Sequence, residues 1–477
     1  MRRKIKIAYG KVTQKVVDEL TSIFGSEDVI TDKEQLENYS SDESTVAPHL
    51  PEVVVKPKNT QEVAMTMKLA NEKRIPVVAR SGGTCVTGGT VPIHGGIVIS
   101  FEKMNRIVEV DEENLMVVVE PGIFILDLHA EMEKRGFLYP PDPGQKSSCL
   151  GGNINTNAGG MRGVKYGVTR DFVEALEVVL PTGDIIHLGR KTVKNSTGYD
   201  LKNLIIGSEG TLGVTTQMTL RLVPLPKITT TLYVPFNSFA DAVKTVAEII
   251  RKKIVPPALE FADQSSILVA ERFLGRPMPH NSAPAYVIIR LEGNIQEEVD
   301  SPFEAVGELC LENGAIDVLV ADTAESQQKI WEGRSCIIDA AKAEGTIELL
   351  DAVVPRNKIL AFLEGLNKTA DKIGINIQNF GHAGDGNVHT NILKENMSDE
   401  EWNDKVPRFC EEAYRLSLSL GGNISGEHGI GLIRKRFLPL ALGVNSQDSL
   451  IQIDLMQKIK KIFDPNNIMN PNKIFDL

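Results

Sequence analysis

The sequence predicts an α+β fold in at least two units, on three observations. Short β-branched runs separated by turns begin at Pro51, and the first of them build a β-α-β pattern. After Pro224-Leu225-Pro226 the glycine density falls, and longer amphipathic helices alternate with strands. A chain of 477 residues also exceeds what one hydrophobic core usually supports.

Taken in order, residues 12–39 alternate apolar and charged positions at helical spacing, and the fold proper is expected to start at Pro51. Val53-Val54-Val55 reads as a strand, Thr60 as the cap of a helix running to about Arg74, and Ile75-Pro76-Val77-Val78-Ala79 as the next strand. Further strands are expected over 96–99, 115–119 and 175–180, the last leading into the turn Pro181-Thr182-Gly183-Asp184. Beyond 225, Tyr286-Val287-Ile288-Ile289-Arg290 reads as a strand of the second unit. The glycine-rich style returns after residue 420, and a helix of about 15 residues precedes Asp464-Pro465-Asn466-Asn467. The expected division is 1–225, 226–425, and a segment 426–477 returning to the first unit.

Composition narrows the class. A net charge of -11 and the lack of a long basic stripe exclude a nucleic-acid binder. No run approaches the ~20 apolar residues of a spanning helix, so no transmembrane segment is expected. Met1-Arg2-Arg3-Lys4 is basic, but Ile5-Lys6-Ile7-Ala8-Tyr9 is too short and charged for a signal peptide core, which points to the cytoplasm. Cys85, Cys149, Cys310, Cys336 and Cys410 are odd in number and scattered, with no CxxC, which argues against disulfides, a zinc knuckle or an iron–sulfur cluster.

Three glycine clusters carry the first chemical signal. Arg80-Ser81-Gly82-Gly83-Thr84-Cys85-Val86-Thr87-Gly88-Gly89 follows a buried strand, where glycines expose consecutive backbone N–H groups to an anion such as a pyrophosphate. The spacing is not GxGxxG, which weakens a Rossmann reading. The second cluster runs from Pro141-Asp142-Pro143-Gly144 through Ser148 to Gly151-Gly152-Asn153-Ile154-Asn155-Thr156-Asn157-Ala158-Gly159-Gly160, with Gly163, Tyr166 and Gly167 after it. Its small side chains let a planar ring approach the backbone. The third, Gly207-Ser208-Glu209-Gly210-Thr211-Leu212-Gly213 with Val214, repeats the pattern after Leu204-Ile205-Ile206.

In order and spacing these clusters resemble the FAD domain of the vanillyl-alcohol oxidase and para-cresol methylhydroxylase superfamily. The resemblance implies a para-cresol methylhydroxylase-type FAD-binding domain with an inserted α+β cap domain for substrate. It assigns the first loop to the FAD pyrophosphate, the 141–167 stretch to the dinucleotide and isoalloxazine, and 207–214 to the adenosine side. Some members attach flavin covalently through a histidine where this chain has Thr84, so non-covalent FAD is expected, with Cys85 packed nearby. Asn470 and Lys473, in Asn-Pro-Asn-Lys, resemble a terminal signature that folds back towards the flavin.

The second signal is histidine concentration. Three of eight histidines fall in Gly381-His382-Ala383-Gly384-Asp385-Gly386-Asn387-Val388-His389 and Gly426-Glu427-His428-Gly429-Ile430-Gly431. His382 and His389 lie seven apart across a bend, so with Glu427 they can form a two-His, one-carboxylate site with open positions. The motifs resemble the D-2-hydroxy-acid dehydrogenase branch of the superfamily. That resemblance implies a divalent metal, iron, zinc or manganese, on His382, His389 and Glu427, and a substrate role for His428. Such a metal, chelated by the hydroxyl and carboxylate of a 2-hydroxy acid, lowers the hydroxyl pKa and fixes the carbinol C–H for hydride transfer to flavin N5. His428 suits the general base, and Asn391 a substrate hydrogen bond. Arg334, in Trp331-Glu332-Gly333-Arg334, matches an arginine that binds substrate carboxylate in this branch.

Relatives acting on dicarboxylates place a lysine in the strand before the Pro355 turn, but Ile347-Glu348-Leu349-Leu350-Asp351 has none. A short monocarboxylate such as D-lactate or glycolate is therefore expected. Electrons should leave to a partner, as relatives use an electron-transfer flavoprotein, an iron–sulfur subunit, quinones or cytochromes. Rival readings are an oxidase using oxygen, or a non-catalytic electron-carrying flavoprotein subunit. The intact metal set argues against the latter.

Overall fold

Helix α1 (Gln14–Phe24) turns Val16, Leu20 and Phe24 inward at four-residue spacing, and they join the core around strands β1 (Val29–Ile30), β2 (Val53–Val55), β3 (Val77–Arg80) and β4 (Ile97–Ser100). In this computed structural model, which describes residues 8–443 and 447–477, the first sheet has the order β1-β2-β4-β3. The basic start, residues 1–7, lies outside the described residues. The fold therefore begins well before Pro51: β1 pairs antiparallel with β2, and α1 packs on the same core. Replacing Leu20, fully buried, with Ala is expected to cost about 2–5 kcal/mol, read from the denaturant midpoint.

Strands β2 and β3 both run parallel to β4, and α2 (Thr60–Lys73) makes the crossover. Its cap is Asn59, whose side chain accepts from Glu62 N–H; Thr60, expected as the cap, is the first helical residue. Strands β5 (Ile107–Asp111), β6 (Met116–Val119), β7 (Val173–Val179), β8 (Ile185–Gly189) and β9 (Val214–Arg221) form an antiparallel sheet in the order β5-β6-β9-β7-β8. Short helix α3 (Leu150–Thr156) carries the second glycine cluster.

The second unit is a seven-stranded antiparallel sheet of β10 (Ile228–Phe236), β11 (Ala258–Asp263), β12 (Ala285–Gly293), β13 (Leu319–Ala321), β14 (Ile347–Val353), β15 (Asn376–His382) and β16 (Asn387–Leu393). Their order is β13-β10-β12-β11-β15-β16-β14. Side-chain alternation gives this sheet two different faces. Leu259, Phe261, Val287, Ile289, Leu350, Ala352, Val388 and Ile392 enter the main apolar core, which helices over 239–251, 296–312, 359–373 and 399–419 cover. The opposite face carries Tyr233, Tyr286, Ile288 and Phe380 and packs against α4 (Ala324–Ser335), α5 (Ile337–Glu344) and Met161 of the first unit.

After helix α6 (Gln447–Phe463) the chain returns to the first unit. Val77 N–H donates to Ile468 O, Asn470 N–H donates to Val77 O, and Met469 bridges Val77 in parallel. No helix among the described residues is long and apolar enough to cross a membrane.

Candidate active site

The face of the seven-stranded sheet that meets the first unit closes a cleft of about 1670 Å³, open mouth included. One wall is glycine-rich backbone: residues 81–85, Pro143, Gly144, Gly151, Gly152, Glu209 and Gly210, with Ser148, Val214 and Asn470. The space beside them is real. A Cβ on Gly144 or Gly152 would meet nothing within 4 Å. Ser148 Oγ, Asn153 Nδ2 and Asn470 Oδ1 are buried there without a hydrogen-bond partner among the described residues. Unpaired polar atoms facing a bare backbone cradle fit a bound dinucleotide, whose phosphates and ring edges would satisfy them.

Several residues of the glycine motifs stand outside this wall and hold its backbone instead. Arg80 donates to Ser41 O and Thr90 Oγ1, and Thr87 O accepts from Leu432 N–H. Asn157 closes α3 in a left-handed conformation and accepts from Arg170 N–H. Tyr166 donates to Glu292. Gly88, Gly159, Gly160, Gly163, Gly167 and Gly213 sit where a Cβ would strike Val46, Glu427, Asp142, Asp385, Asp171 and Val178. At these positions packing alone requires glycine.

The other wall carries the histidines. His382 ends β15 and His389 lies on β16, with a tight hairpin between them; alternation puts both on the face opposite Val388 and Ala383, which enter the main core. Their Nε2 atoms are 3.4 Å apart. Glu427 Oε1 lies 3.2 Å from His389 Nε2 and 3.5 Å from His382 Nε2. Three ligands at ~2.05 Å from a tetrahedral ion are separated by about 3.3 Å, so this triangle fits a first-row divalent metal. A wider set, Asp351, His389, Glu427 and His428, also lies mutually within 4.8 Å. Asp351 Oδ2, however, already accepts from four donors, so the compact triangle is the better ion site.

Asp351 is the residue that sequence reasoning missed. Its Oδ2 accepts from the backbone N–H of Gly426, Glu427 and His428 and from Ser425 Oγ, while Oδ1 accepts from Asn387 Nδ2. Nδ1 of His389 and Nδ1 of His428 each lie 3.6 Å from this carboxylate. The two Nε2 atoms lie 3.2 Å and 3.7 Å from Glu427 Oε1. Glu260 was missed too. It accepts from His382 Nδ1 at 2.8 Å and lies 2.6 Å from Arg334 Nη2. The signal for both was a carboxylate flanked on each side by apolar strand residues, Leu259-Glu260-Phe261 and Leu350-Asp351-Ala352.

Electrostatics follow from this layering. Burial disfavours the His382 cation, but the adjacent Glu260 carboxylate outweighs it and holds the imidazole pKa well above its ordinary value. Burial likewise opposes the Glu427 anion, yet hydrogen bonds and charge from His382 and His389 push its pKa well below the usual range. His428 differs: burial, reinforced by His389 and Arg434 against Asp351 and Glu427, lowers it to about 4.

Arg334 ends α4 within the cleft wall, 5.0 Å above the Phe380 ring, with Nε buried and unpartnered among the described residues. Asn391 shares the face of His389 but is fully buried, donates to Gln378 Oε1, and lies behind the cleft wall. Its Oδ1 has no partner among the described residues. Ile338, Lys342 and Leu349, none of them singled out by motif, also line the cleft, with Lys342 paired to Glu43. Thr84 and Cys85 face the cleft, and Lys473 is buried with Nζ donating to Val91 O. All five cysteines are unpaired.

The chain is similar to known proteins over nearly its whole length. The profile of FAD linked oxidases, C-terminal domain, matches residues 225–474, and that of an FAD binding domain matches 51–189. A D-lactate dehydrogenase of Anaerostipes hadrus is 40% identical over 98% of both chains. Glycolate oxidase subunit GlcD of Bacillus subtilis is 40% identical over 97% of both. The solved structure of p-cresol methylhydroxylase with substrate bound superposes with a TM-score of 0.78 over 97% of both chains at 18% identity, which shows the shared fold.

Proposed function

This chain belongs to the FAD-linked oxidase family, an assignment that carries FAD-dependent hydroxy-acid oxidation, and on that premise we propose that it is a metal-assisted D-lactate dehydrogenase. The observation that supports the metal is the triangle of His382, His389 and Glu427 donors, placed in one cleft with the glycine wall. Bound there, FAD supplies the two-electron acceptor and the divalent metal a Lewis acid that acidifies the substrate hydroxyl.

The chain's own groups do the rest. Arg334 offers its planar fork to the substrate carboxylate, with Glu260 and the Phe380 ring holding it in place. His428, neutral at physiological pH, accepts the hydroxyl proton at Nε2. Asn391 supports the same face from behind the wall. Leu349 and Ile338 present apolar surface to the far end of the substrate, which favours a methyl group over a second carboxylate. D-lactate fits this better than D-2-hydroxyglutarate, and glycolate is the alternative substrate.

We place the onward acceptor on another molecule, an electron-transfer flavoprotein or an iron–sulfur subunit, since the five scattered cysteines offer no cluster site. Their unpaired state also suits the cytoplasm. The test is to mix the yellow protein anaerobically with D-lactate, L-lactate, glycolate and D-2-hydroxyglutarate and follow flavin absorbance before and after chelation. D-lactate is expected to bleach the flavin in a chelator-sensitive manner. No bleaching by any of the four, with metal replete, would overturn the hydroxy-acid reading.

A further inference from the structure

The segment that presents Glu427 and His428 is held at both ends by buried carboxylates from different units. Asp351, on the cap sheet, takes the N–H groups of 426–428. Glu209, inside the third glycine loop, takes the next two: its Oε1 accepts from Ile430 N–H and its Oε2 from Gly431 N–H, each at 2.7 Å. Glu209 is itself locked in the cleft wall. Its N–H donates to Asn155 O, and its carbonyl accepts from Asn470 Nδ2.

The approach is close enough to require glycine on the segment. A Cβ on Gly429, at φ +81°, would lie 2.9 Å from Glu209 Oε1. The second glycine loop also touches the ligand itself, since a Cβ on Gly159 would lie 2.7 Å from Glu427 Oε2. Further along, Thr87 O accepts from Leu432 N–H and Gly429 O accepts from Arg434 Nη1, while Glu209 takes the N–H groups nearer to Glu427 and His428.

We infer that Glu209 is a positioning residue for the metal: from within a flavin-binding loop it fixes the backbone that presents Glu427 and His428, so the first unit completes the metal site. The inference rests on the metal reading above.

The test uses FAD-loaded protein: wild type, Glu209→Gln and Gly429→Ala. Zinc per chain is measured by equilibrium dialysis against buffered Zn²⁺ with elemental analysis, beside the FAD-to-protein ratio and the thermal midpoint. A glutamine keeps one acceptor but turns an N–H toward the other donor. Gly429→Ala leaves the flavin loop unchanged and crowds the Glu209 carboxylate. Zinc affinity is expected to fall ~10–100-fold in either variant, with FAD at the wild-type ratio in Gly429→Ala. Wild-type zinc affinity in a variant that retains FAD overturns the inference, and so does loss of FAD from both variants, which would make the contact a general fold requirement. A wild type that takes up no zinc fails before any substitution is made, and that outcome removes the metal reading itself.

Discussion

Replacing His428 with asparagine is expected to slow D-lactate-driven bleaching of the flavin by ~10²–10⁴-fold, with FAD still bound, as measured by anaerobic stopped-flow absorbance. The size follows from the role. His428 lines the cleft, its ring stacks on His389 at 5.3 Å, and its Nδ1 faces Asp351. A proton on Nδ1, facing that carboxylate, would leave the Nε2 lone pair to accept from substrate. Because burial lowers the imidazole to about 4, the base is in its working form across neutral pH. Only the unprotonated form accepts a proton, so the rate is lost as pH falls through about 4. An unperturbed histidine would put that limb near ~6.5. The asparagine variant should lack the limb altogether, and a variant with wild-type rate and profile would remove His428 from the chemistry.

Glu427→Gln carries the second large effect, a fall of at least ~10²-fold in bleaching rate, about 2.7 kcal/mol of lost stabilisation at the reacting oxygen. Chelated wild type should fall to a similar level and recover when Zn²⁺, Mn²⁺ or Fe²⁺ is returned; the variant should not recover. The physical ground is that the carboxylate is the one negative corner of the triangle. Without it two imidazoles face each other 3.4 Å apart with nothing to neutralise a divalent charge. The metal-free site also holds a proton, since His382 has its pKa raised well above the usual value by Glu260 despite burial. Metal must displace that proton. Affinity should therefore rise with pH and be lost as pH falls, which chelator competition at about pH 6 and about pH 8 would read. A pH-independent affinity would mean that His382 is not a ligand.

The glycine loops and the histidine motifs were legible because their residue types are forced locally. Gly83, Gly88 and Gly210 adopt positive φ, and other side chains resist that conformation wherever they stand in a fold. The histidine motif was legible for a related reason: His382 and His389 belong to one hairpin, so a short stretch of chain states their proximity. Leu20 shows the opposite case. Its helix has a clear apolar face, but nothing in that periodicity says which core it joins, so the sequence places the start of the fold proper only at Pro51. Arg80 sits in the flavin motif by position, yet its side chain turns away to bind Ser41 and Thr90. Motif membership states neighbourhood, and the direction of a side chain is set by packing.

By itself, then, the sequence determined the class of chemistry: where the backbone must lie bare, which side chains can bind a metal, and which can carry a proton. The tertiary structure alone decided what faces what. Strand alternation puts Glu260, Asp351, His382 and His389 on one side of their strands, but only the sheet order β11-β15-β16-β14 sets those four strands side by side. Only docking of that face on the first unit brings Glu209 to the segment that carries Glu427. The reason is that convergence of distant residues is a property of the folded core, whose contacts outweigh the chain entropy lost in making them, and local periodicity holds no record of which distant surface a face will meet.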